Sequence, residues 1–139
     1  MNIIGAFETA FCRAKRQGWE YIVVLVDIHD TIFRAVWDGP ETYEYLGKAK
    51  ETLQLMSKMP NIKLILWSSS YENKLKDYVH YMKKDGIVWD AINSNLEDTQ
   101  NTGRACFDKK LYFSVGIDNA FGFEPERDWK DIYYCLKGV

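Results

Sequence analysis

The run Tyr21-Ile-Val-Val-Leu-Val-Asp27 gives the clearest indication of the fold of this chain. Its apolar residues follow one another without alternation and most are β-branched, which is typical of a strand covered on both faces. A second run of this kind, Ile62 to Trp67, comes after a helical pattern that ends at Pro60-Asn61. Two buried strands joined by a helix predict a right-handed crossover and a parallel sheet.

The rest of the chain continues this alternation of helices and strands. Residues 93–108 are polar and lack a clean period, so they predict a long loop. We therefore predict one domain, residues 1–139, with an α/β, three-layer Rossmann-like fold and a mainly parallel sheet with helices on both faces. The further predicted elements are a first helix from Ile3 to Ala14 that stops at Gly18, a helix around Leu53, a helix ending at Gly86, strands at 87–92 and 111–117, and a helix at 129–136.

Composition and charge limit the classes of partner. A net charge of -2 over 139 residues gives no field that would gather nucleic acid. Three cysteines without a CxxC pair favour neither a disulfide framework nor a zinc site, so we expect a reducing, cytoplasmic setting. The apolar runs are too short to cross a membrane and the first residues lack the pattern of a secretion signal. We expect a protein without a membrane partner.

Polar side chains follow three of the predicted strands. Asp27 ends the first strand, Ser68 follows the second and Asp118 follows the last. Because the carboxyl ends of parallel strands meet at one edge of a sheet, we expect these side chains to converge there. Two neighbouring carboxylates repel each other unless a cation lies between them, and oxygen ligands suit magnesium. The sequence thus predicts a magnesium (Mg2+) site, which in turn favours a phosphorylated ligand.

Four motifs resemble those of the haloacid dehalogenase (HAD) superfamily, and they occur in the same order. Val26-Asp27-Ile28-His29-Asp30-Thr31 resembles the first motif, a strand followed by Asp-x-Asp-x-Thr. Leu66-Trp67-Ser68 resembles the second motif, a strand that ends in Ser or Thr. Lys109 or Lys110 is placed like the lysine of the third motif, and the stretch from Gly116 to Phe123 is similar to the acidic fourth motif.

The resemblance spans residues 21–125 and implies a HAD-like hydrolase, a magnesium-dependent phosphatase that acts on a phosphomonoester through an aspartyl-phosphate on Asp27. It implies metal binding by Asp27, the backbone carbonyl of His29 and Asp118. Of the two lysines we favour Lys110, because it lies nearer the strand. The implied catalytic residues are Asp27, His29, Ser68 and Lys110, and the implied substrate-binding residues are Ser68, Ser69 and Lys109.

Four positions depart from the motifs or carry a second interpretation. His29 stands where the superfamily has the acid that protonates the leaving group, and imidazole can replace that acid or contribute only its carbonyl. Asp30 would serve only if the backbone rotated it inward. Asn119 stands where many relatives have a second acid. Ser69 also begins a capping box with Glu72. Turnover is therefore expected to be slow, and the alternative is an impaired phosphate- or partner-binding module.

The spacing of the elements predicts an open site. Residues 32–44 are enough for a short flap but not for a cap domain. A receiver-like phosphoacceptor domain fits poorly, because Asn93-Ser94 after the third strand offers no carboxylate. A nucleotide-dependent kinase would need a GxxxxGK[ST] motif, which is absent. Aromatic residues that we expect at the mouth of the site are Phe33, Trp37, Tyr43 and Tyr71.

Overall fold

The structure is a computed structural model that describes residues 2–100 and 105–138. Its elements are α1 (Ile3–Gln17), β1 (Ile22–Asp27), α2 (Ala49–Ser57), β2 (Ile62–Trp67), α3 (Glu72–Lys84), β3 (Ala91–Ile92), β4 (Val115–Ile117), a 3-10 turn (Asn119–Phe121) and α4 (Pro125–Lys137). The described strands form one four-stranded parallel sheet in the order β3-β2-β1-β4. This confirms the predicted α/β, Rossmann-like fold class. No helix of the described ranges combines the length and the apolar character that a membrane span needs.

The two outer strands are shorter than the sequence predicts. At the start of each one, a side-chain oxygen accepts a hydrogen bond from a backbone amide of the neighbouring strand. The carboxylate of Asp90 accepts a hydrogen bond from the Leu64 amide at 2.8 Å, just before β3. The hydroxyl of Ser114 accepts one from the Val23 amide at 3.2 Å, just before β4. Both positions therefore pair with the neighbouring strand without belonging to a regular ladder.

The two faces of the sheet are covered differently. Side chains of one parity, such as Val24 and Leu64, join a large core that holds the buried residues of all four helices. Side chains of the other parity form a smaller cluster, and the helix layer expected there is replaced by an irregular segment. The sequence assigned the second half of this segment to a strand, but its apolar residues pack onto the sheet instead. The smaller cluster consists of Val23, Leu25 and Ile65, covered by Tyr21, Ala91, Leu96, Leu111, Tyr112 and Phe113.

A compact flap, residues 28–48, connects β1 to α2. Its two halves are joined by hydrogen bonds from the Arg34 amide to the Glu44 carbonyl at 3.0 Å and from the Leu46 amide to the Ile32 carbonyl at 2.8 Å. Asp30 adopts a left-handed conformation with φ of 56°, and its carboxylate accepts a hydrogen bond from an amide within the flap. The connection is the short flap that the sequence predicts in place of a cap domain.

Candidate functional site

Asp27 and Asp118 lie at adjoining ends of two hydrogen-bonded strands. Val26 on β1 is paired with Ile117 on β4, and each is followed directly by one of the two aspartates. Neighbouring strands are about 4.8 Å apart, so the two carboxyl groups share one edge of the sheet. Their charges interact, since Asp118 is one of the groups that shift the pKa of Asp27. The structure thus brings together the two acids that the sequence analysis paired.

The environment of Asp27 disfavours its negative charge. Burial, followed by the charge of Asp118, raises the pKa of the Asp27 carboxyl to about 6. Hydrogen bonds from the Thr31 side chain and the Ile28 backbone and the proximity of His29 act in the opposite direction but are outweighed. A cation between the two acids would remove the repulsion and favour the ionised form. Two carboxylates whose charges require compensation are suitable ligands for magnesium.

Thr31 connects the two strand ends to the core. Its hydroxyl lies 3.1 Å from Oδ2 of Asp27 and 3.3 Å from Oδ1 of Asn119, and it accepts a hydrogen bond from the Asn119 amide at 3.0 Å. Its carbonyl accepts the indole N–H of Trp129 at 2.7 Å. Thr31 is fully buried. It therefore fixes the ends of β1 and β4 relative to each other and to α4.

Asp118 has one carboxylate oxygen engaged and one open. Its Oδ1 accepts the Ala120 amide at 2.9 Å, which holds the aspartate at the start of the 3-10 turn. Gly122 ends that turn with φ of 93°, a conformation that residues with a side chain resist. Among the described residues Oδ2 receives no hydrogen bond, and it is the oxygen that a metal would use.

The side chain of His29 is held by aromatic residues of the flap and of α3. Its Nε2 lies 3.2 Å from the hydroxyl of Tyr78, and the two rings are 5.5 Å apart in an edge-to-face arrangement. The ring of Trp37 lies 5.7 Å from it on another side. These contacts position the imidazole. Its hydrogen bond is with Tyr78 and, among the described residues, not with either aspartate.

Ser68 lies at the same edge but its hydroxyl is already engaged. Asp27 is paired with Trp67, so Ser68 is the next residue along the neighbouring strand. Its Oγ accepts the Ser70 amide at 3.1 Å and lies 3.1 Å from the Ser70 hydroxyl. The Asn93 amide side chain pairs with the Ser68 backbone through bonds of 2.8 and 2.9 Å. A phosphate could still contact Ser68, because its hydroxyl proton is free to rotate.

The predicted role of Ser69 in capping is wrong. The α3 helix begins at Glu72, and its cap residue is Tyr71, which makes no side-chain capping bond. Ser69 is exposed. The Ser70 amide bonds to Ser68 instead, so the turn between β2 and α3 is closed before the helix begins. Ser69 is left without a capping partner, and as a predicted phosphate contact it lies one residue beyond Ser68.

Neither predicted lysine forms an ion pair with the two aspartates in the described part of the chain. Lys109 and Lys110 are both exposed. Within the described residues no ion pair joins either of them to an acid. The residues that follow them, Leu111 to Phe113, pack on the second face of the sheet.

The four expected mouth residues separate into two kinds. Phe33 is fully buried and belongs to the core, so its predicted place at the mouth is wrong. Tyr43 is stacked on Tyr81 with ring centroids 4.2 Å apart. Trp37 and Tyr71 are the exposed ones, at 82% and 85%. Of the four, these two offer the most surface to a ligand.

Three residues near the two acids were missed by the sequence analysis as members of the site. Thr31 is four residues after Asp27, which is the place of Thr in the first motif, so a signal for it was present. Asn119 was considered only as a missing acid, yet its backbone amide bonds to Thr31. Trp67 was assigned to a strand, and only the register reveals that it is the partner of Asp27.

Side chains alone do not form a metal site in the part of the chain that the structure describes. Within residues 2–100 and 105–138 no group of three or more His, Cys, Asp and Glu side chains could hold a metal ion. The predicted set has two acid side chains and a backbone carbonyl, so its protein ligands are few. A magnesium ion there would keep several waters or substrate oxygens, which is its usual preference.

Comparison with known proteins supports the fold. Neither a protein-family model nor a curated protein matches this chain. A solved structure of a conserved protein from Bacteroides thetaiotaomicron is similar to it, with 27% sequence identity and a TM-score of 0.65. The similarity covers 85% of this chain and 91% of that one. The two chains thus share an α/β, Rossmann-like architecture over nearly their whole length.

Proposed function

We propose that this protein is a magnesium-dependent phosphohydrolase of the HAD-like type, which cleaves a phosphomonoester through an aspartyl-phosphate on Asp27. The observation that carries the proposal is the position of Asp27 and Asp118 at adjoining strand ends, with burial and mutual repulsion raising the pKa of Asp27 to about 6. The pair costs free energy without a cation, and phosphate is the ligand that a magnesium site of this kind favours.

In this proposal each residue has one task. Asp27, Asp118 and the His29 carbonyl would hold magnesium, which supplies neutralisation of charge on the phosphoryl oxygens. A carboxylate oxygen of Asp27 attacks phosphorus, the bond to the leaving oxygen breaks, and that oxygen takes a proton from His29 or water. Water then attacks the phosphorus of the aspartyl-phosphate, releases inorganic phosphate and regenerates Asp27. Thr31 holds the Asp27 carboxyl in place through its hydroxyl.

One contact and one missing kind of ion pair, both within the described residues, support a slow turnover. The Nε2 of His29 is engaged with the Tyr78 hydroxyl at 3.2 Å, so only Nδ1 remains for proton transfer. No described lysine or arginine forms an ion pair with Asp27 or Asp118. A phosphoryl group would rely on the metal and on backbone amides for neutralisation.

The second candidate is a magnesium-dependent phosphate-binding module without turnover. It is favoured by the exposure of Lys109 and Lys110 and by the contact of His29 with Tyr78. In that case the wild-type protein binds magnesium and a phosphate mimic but releases no phosphate from any ester above background.

The test is phosphate release from an aryl phosphate with magnesium and with a chelator. Asp27→Asn is the test variant and Asp98→Asn, an exposed aspartate near the opposite end of β1, is the matched control. We expect magnesium-dependent release by the wild type and the control, and none by Asp27→Asn. Beryllofluoride binding, followed by calorimetry, is measured in parallel. Binding without release would favour the module, and neither binding nor release would contradict both candidates.

We also propose a cytoplasmic setting. The support is chemical, because Cys12, Cys106 and Cys135 are all free thiols. Free thiols are kept reduced in that compartment. Mass spectrometry of thiol-labelled protein taken directly from cells would show three reactive cysteines in this setting and a mixed disulfide in an oxidising one.

A further inference from the structure

The register of the sheet places an exposed aromatic side chain directly beside Asp27. Trp67 is the β2 residue paired with Asp27, and paired residues of neighbouring strands point to the same face. This face is the one covered by the irregular segment, since Leu25 and Ile65 belong to its cluster. Trp67 is 43% exposed although it ends a central strand. The indole thus lies open to solvent on one side of the carboxyl group.

A second exposed aromatic ring lies on the other side of Asp27 and on the same face. A Cβ atom added to Gly116 would come within 3.6 Å of the Phe121 ring. Gly116 is paired with Leu25, so the Phe121 ring covers the β4 side of this face. Phe121 is 57% exposed. β1 separates the two strands, which leaves about 10 Å between them. This is enough for one aromatic ring system in contact with both side chains.

The charges near the two acids limit what else a ligand can carry. Each of the ion pairs formed within the described residues lies elsewhere, and none includes Asp27 or Asp118. A ligand with several phosphates would bring more negative charge than one divalent cation neutralises. The surroundings therefore suit a single phosphoryl group on an apolar, flat body.

We infer that the substrate is a small aryl phosphate monoester, whose ring lies between Trp67 and Phe121 while its phosphoryl group meets Asp27. This inference rests on the proposed function and adds the class of substrate to it. The ring contacts supply affinity at a site where no described lysine or arginine forms an ion pair with the two acids. Aromatic contacts of this kind, together with the apolar area they bury, change affinity by about tenfold.

The experiment compares two ligands that cannot be hydrolysed, naphthylmethylphosphonate and methylphosphonate, by calorimetry at saturating magnesium. We expect the wild type to bind the aryl ligand about tenfold more tightly than the alkyl ligand. Trp67→Ala should reduce this ratio to about threefold or less, and Trp67→Phe should retain most of it. Phe121→Ala should reduce the ratio in the same direction. Trp19→Ala is the matched control, because Trp19 is 45% exposed but precedes β1 at the opposite edge.

The outcomes separate this inference from the proposed function. Equal affinities of the wild type for the two ligands, or an unchanged ratio in a folded Trp67→Ala variant, would overturn the inference even if phosphate is released from esters. A tyrosine-phosphorylated peptide that binds more than about tenfold better than the aryl phosphonate would overturn the small-molecule class. A preserved ratio without any phosphate release would contradict the phosphohydrolase alone. Circular dichroism of each variant confirms that it is folded.

Discussion

Each end of β1 lies near a carboxylate. The carboxylate at one end has a hydrogen-bond donor as its partner, and the carboxylate at the other end has a second acid. At the amino end, the hydroxyl of Tyr21 donates a hydrogen bond to Asp98. At the carboxyl end, Asp27 lies beside Asp118, a group of the same charge. The first pair is complete without a ligand, whereas a proton or a cation would stabilise the second by compensating its charge.

The pKa shifts at the two ends express this difference. The hydrogen bond with Asp98, followed by burial, raises the pKa of Tyr21 to about 12, so the hydroxyl keeps its proton. Burial, followed by Asp118, raises the pKa of Asp27 to about 6, so the carboxyl loses its proton less readily. The partner of each group thus distinguishes the two ends. Tyr21 and Asp98 form a hydrogen bond that holds a segment on the sheet, whereas Asp27 and Asp118 are two acids that favour a cation.

The largest expected effect that separates the two ends is on catalysis. Asp27→Asn removes the proposed nucleophile and a metal ligand, so phosphate release should fall by at least about 1000-fold. Asp98→Asn changes the same chemical group at the other end and should leave the rate within about twofold of the wild type. Steady-state kinetics with an aryl phosphate and magnesium measure both.

Equal losses in the two variants would contradict the assignment of chemistry to the carboxyl end. The control on folding is the thermal denaturation of each variant. A fall in rate that accompanies a fall in melting temperature would be attributed to unfolding. Magnesium affinity adds a second readout, since Asp27→Asn should weaken it and Asp98→Asn should not.

The next effect compares two hydroxyl groups, one at each end of β1. Thr31→Val removes a fully buried hydroxyl that contacts the Asp27 carboxylate and the side chain and backbone amide of Asn119. We therefore expect a loss of about 2 kcal/mol in the free energy of unfolding. Ser114→Ala removes one bond, from the Val23 amide at the amino end, and should cost about 1 kcal/mol. Urea denaturation measures both.

Magnesium binding tells whether Thr31 acts only on stability. We expect Thr31→Val to weaken magnesium affinity several-fold, because the Asp27 carboxyl loses a donor that orients it. Thr31→Ser keeps the hydroxyl and should restore the affinity. Ser114→Ala should not change it. A Thr31→Val variant with normal magnesium affinity would limit this residue to a role in the core.

The fold could be predicted from the sequence because its signals are local. The uninterrupted apolar run that ends at Asp27 and the run that ends at Trp67 mark two central strands without knowledge of their partners. β4 is shorter than predicted, since the apolar residues 111–113 pack on a face of the sheet instead of joining its ladder of hydrogen bonds. Composition alone does not distinguish these two uses of an apolar residue.

The site could be predicted only in part, for a related reason. Asp27 and Asp118 adjoin because strand ends of one direction meet at one edge, which follows from topology. The positions of Lys109 and Lys110 depend on how an irregular segment crosses the sheet, and no periodic signal encodes that path. Trp67 could not be recognised as a neighbour of Asp27 without the register of the two strands.

A smaller effect concerns the dependence of stability on pH without metal. The folded protein holds the Asp27 proton up to about pH 6, whereas the unfolded chain releases it near the ordinary carboxyl pKa of 3.8. Between these values the folded state binds more protons, so the free energy of unfolding falls as pH rises. After allowance for the solvent-exposed part of the carboxyl, we expect a fall of about 1 kcal/mol.

The measurement is urea denaturation from pH 4 to pH 7 for the wild type and Asp27→Asn, with a chelator present. The difference between the two proteins isolates the contribution of this one carboxyl from all other titrating groups. Asp118→Asn should flatten the same slope, because the like charge is one of its causes. Addition of magnesium should stabilise the wild type at pH 7 and leave Asp27→Asn unchanged. If the difference in free energy of unfolding between the wild type and Asp27→Asn did not change with pH, repulsion at the carboxyl end would be contradicted.

The smallest effect is expected at the amino end. Tyr21→Phe removes the donor to Asp98, but the ring remains in contact with the smaller cluster and with the ammonium group of Lys63, 5.7 Å from its centroid. Asp98 is exposed, so water replaces the lost partner and the cost should be about 0.5 kcal/mol. Urea denaturation measures the loss, and calorimetry should show unchanged magnesium affinity. A change in that affinity would mean that the two ends of β1 are coupled, which the separate partners of Asp27 and Asp98 argue against.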